Sequence, residues 1–248
     1  MTTARDPVPD VKQWLKLFNS SPLYRHDAST VFDDYLTMTL CAVANQRQEE
    51  RYLQVAKRYK REELETVATL FAMHVLIHEH QTEGGGWYDM LGDVYMELAS
   101  RSKASRMGQF FTPAGVCDLA ARITLGDADE AAGKSICDPA VGSGRMLLAA
   151  HAVQPKLGLI TGADLDPICA KMCAMNFWLH GIRGEVAQMN SLSLEWYCAY
   201  QTHPRITWPF VTFLDESRKE ESVMYLQREA LVPKPESKPV VVDLFNQP

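Results

Sequence analysis

The sequence has no run of about twenty apolar residues, so it predicts no membrane-spanning helix. The first ten residues, MTTARDPVPD, also lack the apolar segment of a secretory signal. These two absences favour a cytoplasmic protein without a membrane partner. Cysteine is scarce, with six residues in 248, and the cysteines lack the dense spacing of a disulfide scaffold. We therefore expect reduced thiols.

The chain also lacks an excess of positive charge: acidic residues outnumber basic ones, and the formal net charge is -6. Such a balance does not predict a broad surface that coats nucleic acid. Basic residues do cluster in RQEERYLQVAKRYKR, residues 47–61. The candidate phosphate-binding residues of this stretch are Arg47, Arg51, Lys57, Arg58, Lys60 and Arg61. A solvated helix face is the alternative interpretation, because charge runs on helices usually face water.

The first hundred residues have a helical pattern. The segment VKQWLKLF repeats apolar residues at the spacing of one helix face, and longer segments with an apolar stripe follow. Residues 1–105 are therefore predicted to form a helical N-terminal domain. His74 and His78 lie four apart on one helix face, but no third ligand is evident, so we predict no metal site.

The pattern changes after Pro113. SICD, LGLITGAD and GEVAQMN are short apolar runs that end near glycine or an acidic residue, and helical stretches separate them. This alternation predicts a parallel sheet whose ligands bind beyond the carboxyl ends of the strands. Function should concentrate at residues 138–144, 164–167 and 190–192.

The segment DPAVGSGRML follows the first predicted strand. Gly142 and Gly144 let the backbone approach a ligand, and Asp164, twenty residues beyond, is spaced to accept from the hydroxyls of a ribose. A nicotinamide-dependent dehydrogenase uses a similar arrangement, but Leu147 replaces its third glycine and Asp138 would face the pyrophosphate. A cofactor with a positive amino group and no phosphate fits better, and S-adenosylmethionine is such a cofactor.

Five motifs resemble, in the same order, those of adenine-N6 DNA methyltransferases, and most of all the modification subunits of type I restriction systems. They are DMLGDVYMEL, GQFFTP, DPAVGSGRMLLAA, GADLDPICAKMCAMN and MNSL. The resemblance implies an α/β fold with a shortened Rossmann-like methyltransferase domain at 106–230, whose sheet is mainly parallel. An extended Pro-rich arm at 231–248 follows it. DNA and a separate specificity subunit are the implied partners.

The resemblance also implies S-adenosylmethionine as cofactor and assigns roles to its binding residues. GQFFTP would cover the cofactor, and Asp138, Asp164 and Asn190 would hold its ammonium, ribose and adenine. The full candidate set is Phe110, Phe111, Thr112, Pro113, Asp138, Pro139, Gly142, Gly144, Asp164, Leu165 and Asn190. A hydrophobic plug between domains is the alternative for GQFFTP. Asp166 precedes Pro167, so helix capping is the alternative for that carboxylate.

Enzymes of this family use Asn-Pro-Pro followed by Tyr or Phe to hold the flipped adenine. These 248 residues contain no such tetrapeptide. The nearest candidate is TWPF, in which Thr207 would replace the Asn and Phe210 would stack on the base. A simple strand interrupted by Pro is the alternative. Three hypotheses stay open: a methyltransferase, a catalytically silent cofactor-binding homologue, and an interaction protein with a vestigial site.

The last segment, VPKPESKPVVVDLFNQP, predicts an extended arm because it contains four prolines. Its VVDLF resembles the acidic-hydrophobic peptides that dock into the bacterial sliding clamp. The candidate clamp-binding residues are Val241, Val242, Asp243, Leu244 and Phe245. An edge strand that packs on its own domain is the alternative.

Overall fold

The computed structural model describes residues 8–20, 23–44, 48–101, 111–126, 128–204 and 209–231. Helices account for most of the N-terminal region and alternate with strands afterwards. The helices are α1 Val11–Phe18, α2 Ala28–Ala42, α3 Glu49–Ala56, α4 Arg61–Thr82, α5 Met90–Arg101, α6 Ala114–Leu125, α7 Ala128–Ala131, α8 Arg145–Val153, α9 Pro167–Leu179 and α10 Val223–Leu231. Short 3-10 helices cover Leu23–Arg25 and Glu216–Glu221.

In the described part of the chain, five strands form one sheet in the order β1-β2-β3-β4-β5. They are β1 Ile136–Asp138, β2 Ile160–Asp164, β3 Gly184–Asn190, β4 Glu195–His203 and β5 Phe210–Leu214. The pairs β1–β2 and β2–β3 are parallel, whereas β3–β4 and β4–β5 are antiparallel. Because two reversals restore the direction, β5 runs with β1, β2 and β3. The prediction of an α/β fold with a mainly parallel sheet is therefore confirmed.

The strand directions define two ends of the sheet. We call the end where β1, β2 and β3 finish the carboxyl edge; Asp138, Asp164 and Asn190 are the last residues of these strands. The opposite end is the amino edge. At this end, Ile160 of β2 pairs with Gly184 of β3, and Gly184 pairs with Thr202 of β4. The next residue of β4, His203, pairs with Phe210, the first residue of β5. This geometry decides which of the predicted site residues can meet.

One face of the sheet packs against α9 and the N-terminal helices, and the other against α10. Val186, Tyr200 and Phe213 belong to the same buried cluster as Met172 of α9 and Phe32 of α2. The opposite face buries Ala163, Ala187, Ala199 and Leu214 with Met224 and Tyr225 of α10. Burial of both faces explains why the β2 run is almost continuously apolar.

Helix α10 is fixed to the sheet by a buried carboxylate. Glu185 of β3 accepts hydrogen bonds from the Val223 and Met224 amides at 3.0 and 2.9 Å and from Ser222 Oγ at 2.6 Å. These are donors at the start of the helix that would otherwise lack partners. A strand side chain therefore caps a helix that follows it by almost forty residues.

The predicted helical N-terminal region and the sheet share one apolar core. Trp14 and Phe32 lie in the same cluster as Phe177 and Ile182 of the sheet region. Lys171 of α9 also donates to Asp33 of α2 at 2.6 Å. The two predicted domains therefore pack directly against each other through α9.

The paired histidines of α4 are packing residues. His74 Nδ1 lies 3.0 Å from the Tyr35 hydroxyl, and His78 Nε2 lies 3.1 Å from the Leu179 carbonyl oxygen. Among the described residues, no group of three or more His, Cys, Asp or Glu side chains is arranged to hold a metal ion. In that same part of the chain, no helix is long and apolar enough to span a membrane.

Candidate functional site

The turn between β1 and α8 brings the backbone close to two neighbours. Gly142 and Gly144 have φ values of +55° and +98°, which side-chain-bearing residues rarely adopt. A Cβ on Gly142 would lie 3.0 Å from the Phe111 ring, and one on Gly144 would lie 2.9 Å from Cys173 Sγ. Both glycines are therefore required by backbone conformation and by close packing.

Asp164 connects this glycine turn to the next loop of the carboxyl edge. Its Oδ2 accepts from the Gly142 amide at 2.9 Å, and its Oδ1 accepts from the Asp166 amide at 2.9 Å. Burial raises the pKa of Asp164, and the nearby carboxylates of Asp166 and Asp138 act in the same direction. The edge is thus electronegative, which favours a ligand that carries positive charge.

Asp166 has a structural role at this point. Its Oδ1 accepts from the Ile168 amide at 2.8 Å, and Pro167 occupies the first turn of α9. The carboxylate therefore caps α9, which is the alternative role that the sequence analysis gave for Asp166.

Two further loops complete the edge. The Asp138 Oδ1 accepts from the Ala140 amide at 3.0 Å, and the Asn190 Oδ1 accepts from the amides of Leu192 and Ser193 at 3.0 and 3.1 Å. Ser191 Oγ donates to the Pro139 carbonyl at 2.6 Å and so ties the β1 loop to the β3 loop. The structure therefore brings the predicted residues Asp138, Pro139, Asp164 and Asn190 to one edge.

Two apolar side chains project from these loops into solvent. Leu165 is 55% exposed and Leu192 is 97% exposed. Both side chains belong to loops that follow strands of the carboxyl edge. Leu192 lies within the predicted region 190–192, but it was not among the candidate cofactor-binding residues.

Phe111 is the described aromatic of the GQFFTP hexapeptide, because Phe110 lies outside the described residues. The Phe111 ring lies over the glycine turn, with the Tyr95 ring centroid at 5.7 Å and the Arg145 guanidinium carbon at 5.7 Å from its centroid. The Thr112 carbonyl oxygen accepts a hydrogen bond from Arg145 Nη1 at 3.4 Å, and Pro113 is the N-cap residue of α6. The described part of the hexapeptide, residues 111–113, thus lies beside the glycine turn of the predicted site.

A buried ionic network centred on Asp89 contacts the glycine turn and the start of α8. Asp89 precedes α5 and is 3% exposed. Its Oδ2 accepts from Ser143 Oγ and Arg145 Nε at 2.6 Å each, and its Oδ1 accepts from the Gly92 amide and Asn176 Nδ2 at 2.8 Å each. The carboxylate is fully used by four donors, so it carries structure and not ligand contacts.

Arg145 and Asn176 extend this network. Arg145 Nη2 donates to Asp93 at 2.6 Å, and Asn176 Nδ2 also donates to the Ser143 carbonyl at 2.9 Å. The network therefore joins α5, the glycine turn and α9. The DMLGD motif contributed to the family resemblance, but the sequence predicted no role for its carboxylates. The signal that was available is the repeat of Asp at 89 and 93, one helical turn apart.

The described part of TWPF, Pro209 and Phe210, does not lie at this site. Thr207 lies outside the described residues, and Phe210 is the first residue of β5, paired with His203 at the amino edge. Trp178, at the far end of α9 from Asp166, donates its indole N–H to the Pro209 carbonyl at 3.1 Å. The interpretation of Phe210 as the base-stacking residue is therefore corrected, because β4 reverses the chain and puts Phe210 at the wrong end of the sheet.

Several basic side chains of the stretch 47–61 already have partners within the protein. Arg58 donates to Asp34 at 2.8 Å, and Arg61 to Glu65 at 2.9 Å. Arg51 lies over the Phe213 ring at 5.0 Å. Lys57 and Lys60 are exposed, while Arg47 lies outside the described residues. The clamp-binding candidates at 241–245 also lie outside them, and nothing in the structure supports clamp docking.

Comparison with known proteins now decides the family. The model of the family described as N-6 DNA Methylase matches residues 87–210, which is 124 of the 248 residues. This chain belongs to that family. The matched segment contains the Asp89 network, the glycine turn, and the strands that end in Asp164 and Asn190. The resemblance predicted from the five motifs is thereby confirmed.

Individual proteins are also similar to parts of this chain. The chain is 33% identical over 102 residues to the type I restriction enzyme MpnII methylase subunit of Mycoplasma pneumoniae, a match that covers 40% of this chain and 18% of that protein. A solved type I restriction-modification methyltransferase subunit from Streptococcus thermophilus shares 21% identity over 69% of this chain and 44% of its own, with a TM-score of 0.36. The chain thus spans less than a fifth of the length of its curated relative.

Proposed function

We propose that this chain supplies the S-adenosylmethionine-binding part of an adenine-N6 DNA methyltransferase of the type I restriction class. The observation that carries the proposal is the convergence of Asp138, Asp164 and the Asn190 loop at one sheet edge, beside a glycine turn covered by Phe111. Family membership supports the chemistry, and the edge supplies the groups that such a cofactor requires.

The carboxylates fit the polar groups of the cofactor. Asp164 is held by two backbone amides, so its remaining lone pairs point in fixed directions and can accept from the two hydroxyls of a ribose. Asp138 uses one oxygen for a local turn and can also accept from the methionine ammonium. When bound, S-adenosylmethionine supplies an electrophilic methyl group on a sulfonium.

The exposed apolar side chains fit the adenine of the cofactor. Leu165 follows Asp164 directly, and Leu192 stands in the loop shaped by the Asn190 amide. We propose that these two side chains contact the ring faces. Since the Asn190 oxygen already accepts two loop amides, Asn190 contributes by shaping this loop.

Phe111 would close the methionine end. An aromatic face attracts a sulfonium cation and excludes water from it. Because its ring already contacts the glycine turn, a bound cofactor must lie beside the ring. We propose that Phe111 orients the methyl group while Arg145 holds the ring and the Thr112 carbonyl in place.

Cofactor binding without methyl transfer by this chain alone is the second candidate function. It is favoured by the position of Phe210 at the amino edge, remote from the proposed cofactor site at the carboxyl edge. In this case the group that positions the target adenine comes from elsewhere in the assembly.

DNA and a specificity subunit remain the proposed partners. Among the basic candidates, Lys57 and Lys60 have exposed side chains, which suits contacts with phosphates. Arg58 and Arg61 already form ion pairs, so we propose a smaller contribution from them.

Calorimetric titration with S-adenosylmethionine tests the proposal. The wild type should bind, and Asp164→Ala should bind at least about tenfold more weakly, because hydrogen bonds to a charged acceptor contribute about 1.5–3 kcal/mol. Asp118→Ala, which removes an exposed carboxylate on α6, is the matched control and should bind like the wild type. Equal affinities of the wild type and Asp164→Ala would contradict the site.

A transfer assay with labelled S-adenosylmethionine and unmodified DNA then separates the two candidate functions. Incorporation of label by this chain alone supports a complete enzyme. Cofactor binding without incorporation supports the second candidate, in which another segment or chain positions the target base.

A further inference from the structure

The sheet has an open side at β1. Strand β1 is the outermost strand of the order and, in the described part of the chain, pairs with β2 only. The Ile136 amide donates to the Leu159 carbonyl, so Ile136 is oriented toward β2. Because alternate residues of a strand point their backbone groups to opposite neighbours, those of Cys137 face the open side. The Cys137 side chain is exposed.

An uncovered apolar row lies on the same flank. Val116, Leu119 and Ile123 of α6 are 52%, 59% and 72% exposed, and their spacing puts them on one helix face. The other side of α6 packs Cys117 and Ala121 against α8, in a cluster that includes Ile136 of β1. A helix that layers onto a sheet normally buries its apolar face. The open strand and the uncovered row therefore indicate that the sheet continues beyond β1, beneath α6.

We propose that residues 240–245, VVVDLF, add a strand to the open side of β1 and cover the apolar row of α6. The segment is rich in β-branched and aromatic residues, and Pro239 precedes it. Its two strand faces differ. One face is wholly apolar and consists of Val240, Val242 and Leu244, and the other consists of Val241, Asp243 and Phe245.

The difference between the faces fixes the orientation of the strand. Ile136 packs toward α6 and α8, so Cys137 points to the opposite face of the sheet. The wholly apolar face, with Val242, lies beneath α6. Val241 then shares the face of Cys137, where the polar Asp243 meets water.

The chain is long enough to reach this position. Arg228 of α10 donates to the Leu194 carbonyl in the β3–β4 connection, and Leu231 ends the helix within the next turn. From β3 to the open side of β1 is three strand spacings, about 14 Å. The eight residues 232–239 extend to about 26 Å when fully stretched. The linker therefore spans the distance without a change in the sheet.

Disulfide mapping in the full chain tests the position. Under mild oxidation with diamide, Val241→Cys should form an intramolecular disulfide with Cys137 at least about tenfold faster than Val242→Cys, because a disulfide requires Cβ atoms about 4 Å apart. The product is identified by mass spectrometry after proteolysis, and Cys137→Ser in the Val241→Cys background should abolish it. Equal rates for the two positions would overturn the proposal.

The remaining outcomes also discriminate. Disulfide-linked dimers without an intramolecular product would mean that the edge binds a second copy of the chain, and would overturn the proposal.

A second pair of variants does not depend on thiols. Val242→Asp should lower the melting temperature, because it buries a charge beneath α6, whereas Val241→Asp should not. Identical melting temperatures for the two variants would place the segment away from this edge.

Discussion

Asp89→Asn tests the network that holds the glycine turn. The side chain of Asp89 is 1% exposed, pairs with Arg145 at 2.6 Å, and accepts from four donors in all. Asparagine preserves the shape but places an NH₂ group against donors and leaves the Arg145 charge without its main partner. Breaking a buried ion pair on one side costs about 3–5 kcal/mol. For a chain of this size, about 3 kcal/mol lowers the melting temperature by roughly 6–12 °C.

Urea denaturation followed by circular dichroism measures this loss. Asp118→Asn is the matched control, because Asp118 accepts one hydrogen bond, from Trp87 Nε1 at 2.7 Å, at an exposed position. We expect the control to lose less than about 1.5 kcal/mol. If Asp89→Asn loses no more stability than Asp118→Asn, the network does not anchor the fold as described, and the reasoning is refuted.

Three further changes have distinct expected outcomes. Gly142→Ala should weaken S-adenosylmethionine binding more than Gly181→Ala does in calorimetry, because both have positive φ but only Gly142 has an aromatic ring 3.0 Å from the added Cβ; equal affinities would contradict this. Glu185→Gln should lower the free energy of unfolding by about 2–3 kcal/mol in urea, since it weakens a buried cap of α10; an unchanged midpoint would show that α10 does not depend on it. Burial lowers the pKa of His74 and His180 to about 3, below the unfolded value near 6.5, so protons bind the unfolded state preferentially as pH falls. Stability should therefore drop by about 3 kcal/mol between pH 7.5 and 5.5, and equal urea midpoints at these pH values would refute it.

The parallel part of the sheet could be predicted because its strands are short apolar runs that finish in Asp138, Asp164 and Asn190. Burial on both faces makes such runs stand out, and the helices between them fix their direction. Strand β4 was not predicted. Its sequence EWYCAYQTH mixes buried and exposed residues, and a register shift opposite Gln188 and Met189 interrupts any simple alternation.

The missed strand explains the error about Phe210. Distance along the chain placed TWPF where a catalytic loop was expected, but the antiparallel β4 carries the chain back to the amino edge before Phe210 begins β5. The reversal comes from tertiary pairing, which spacing in sequence does not encode.

The Asp89 network was missed for a related reason. Its partners Ser143, Arg145 and Asn176 are 54, 56 and 87 residues away in sequence. The spacing of Asp89 and Asp93 is a local pattern, but it does not identify donors that come from such distant segments. By contrast, the helix cap of Asp166 could be anticipated, because the residue and its partner Ile168 are two positions apart.

A crystal structure of this chain with S-adenosylhomocysteine would test the central claim most directly. The account predicts the ligand at the carboxyl edge, with the ribose hydroxyls on Asp164, the ammonium on Asp138 and the adenine between Leu165 and Leu192. A ligand bound elsewhere on the chain, or a carboxyl edge left empty at saturating concentration, would contradict it.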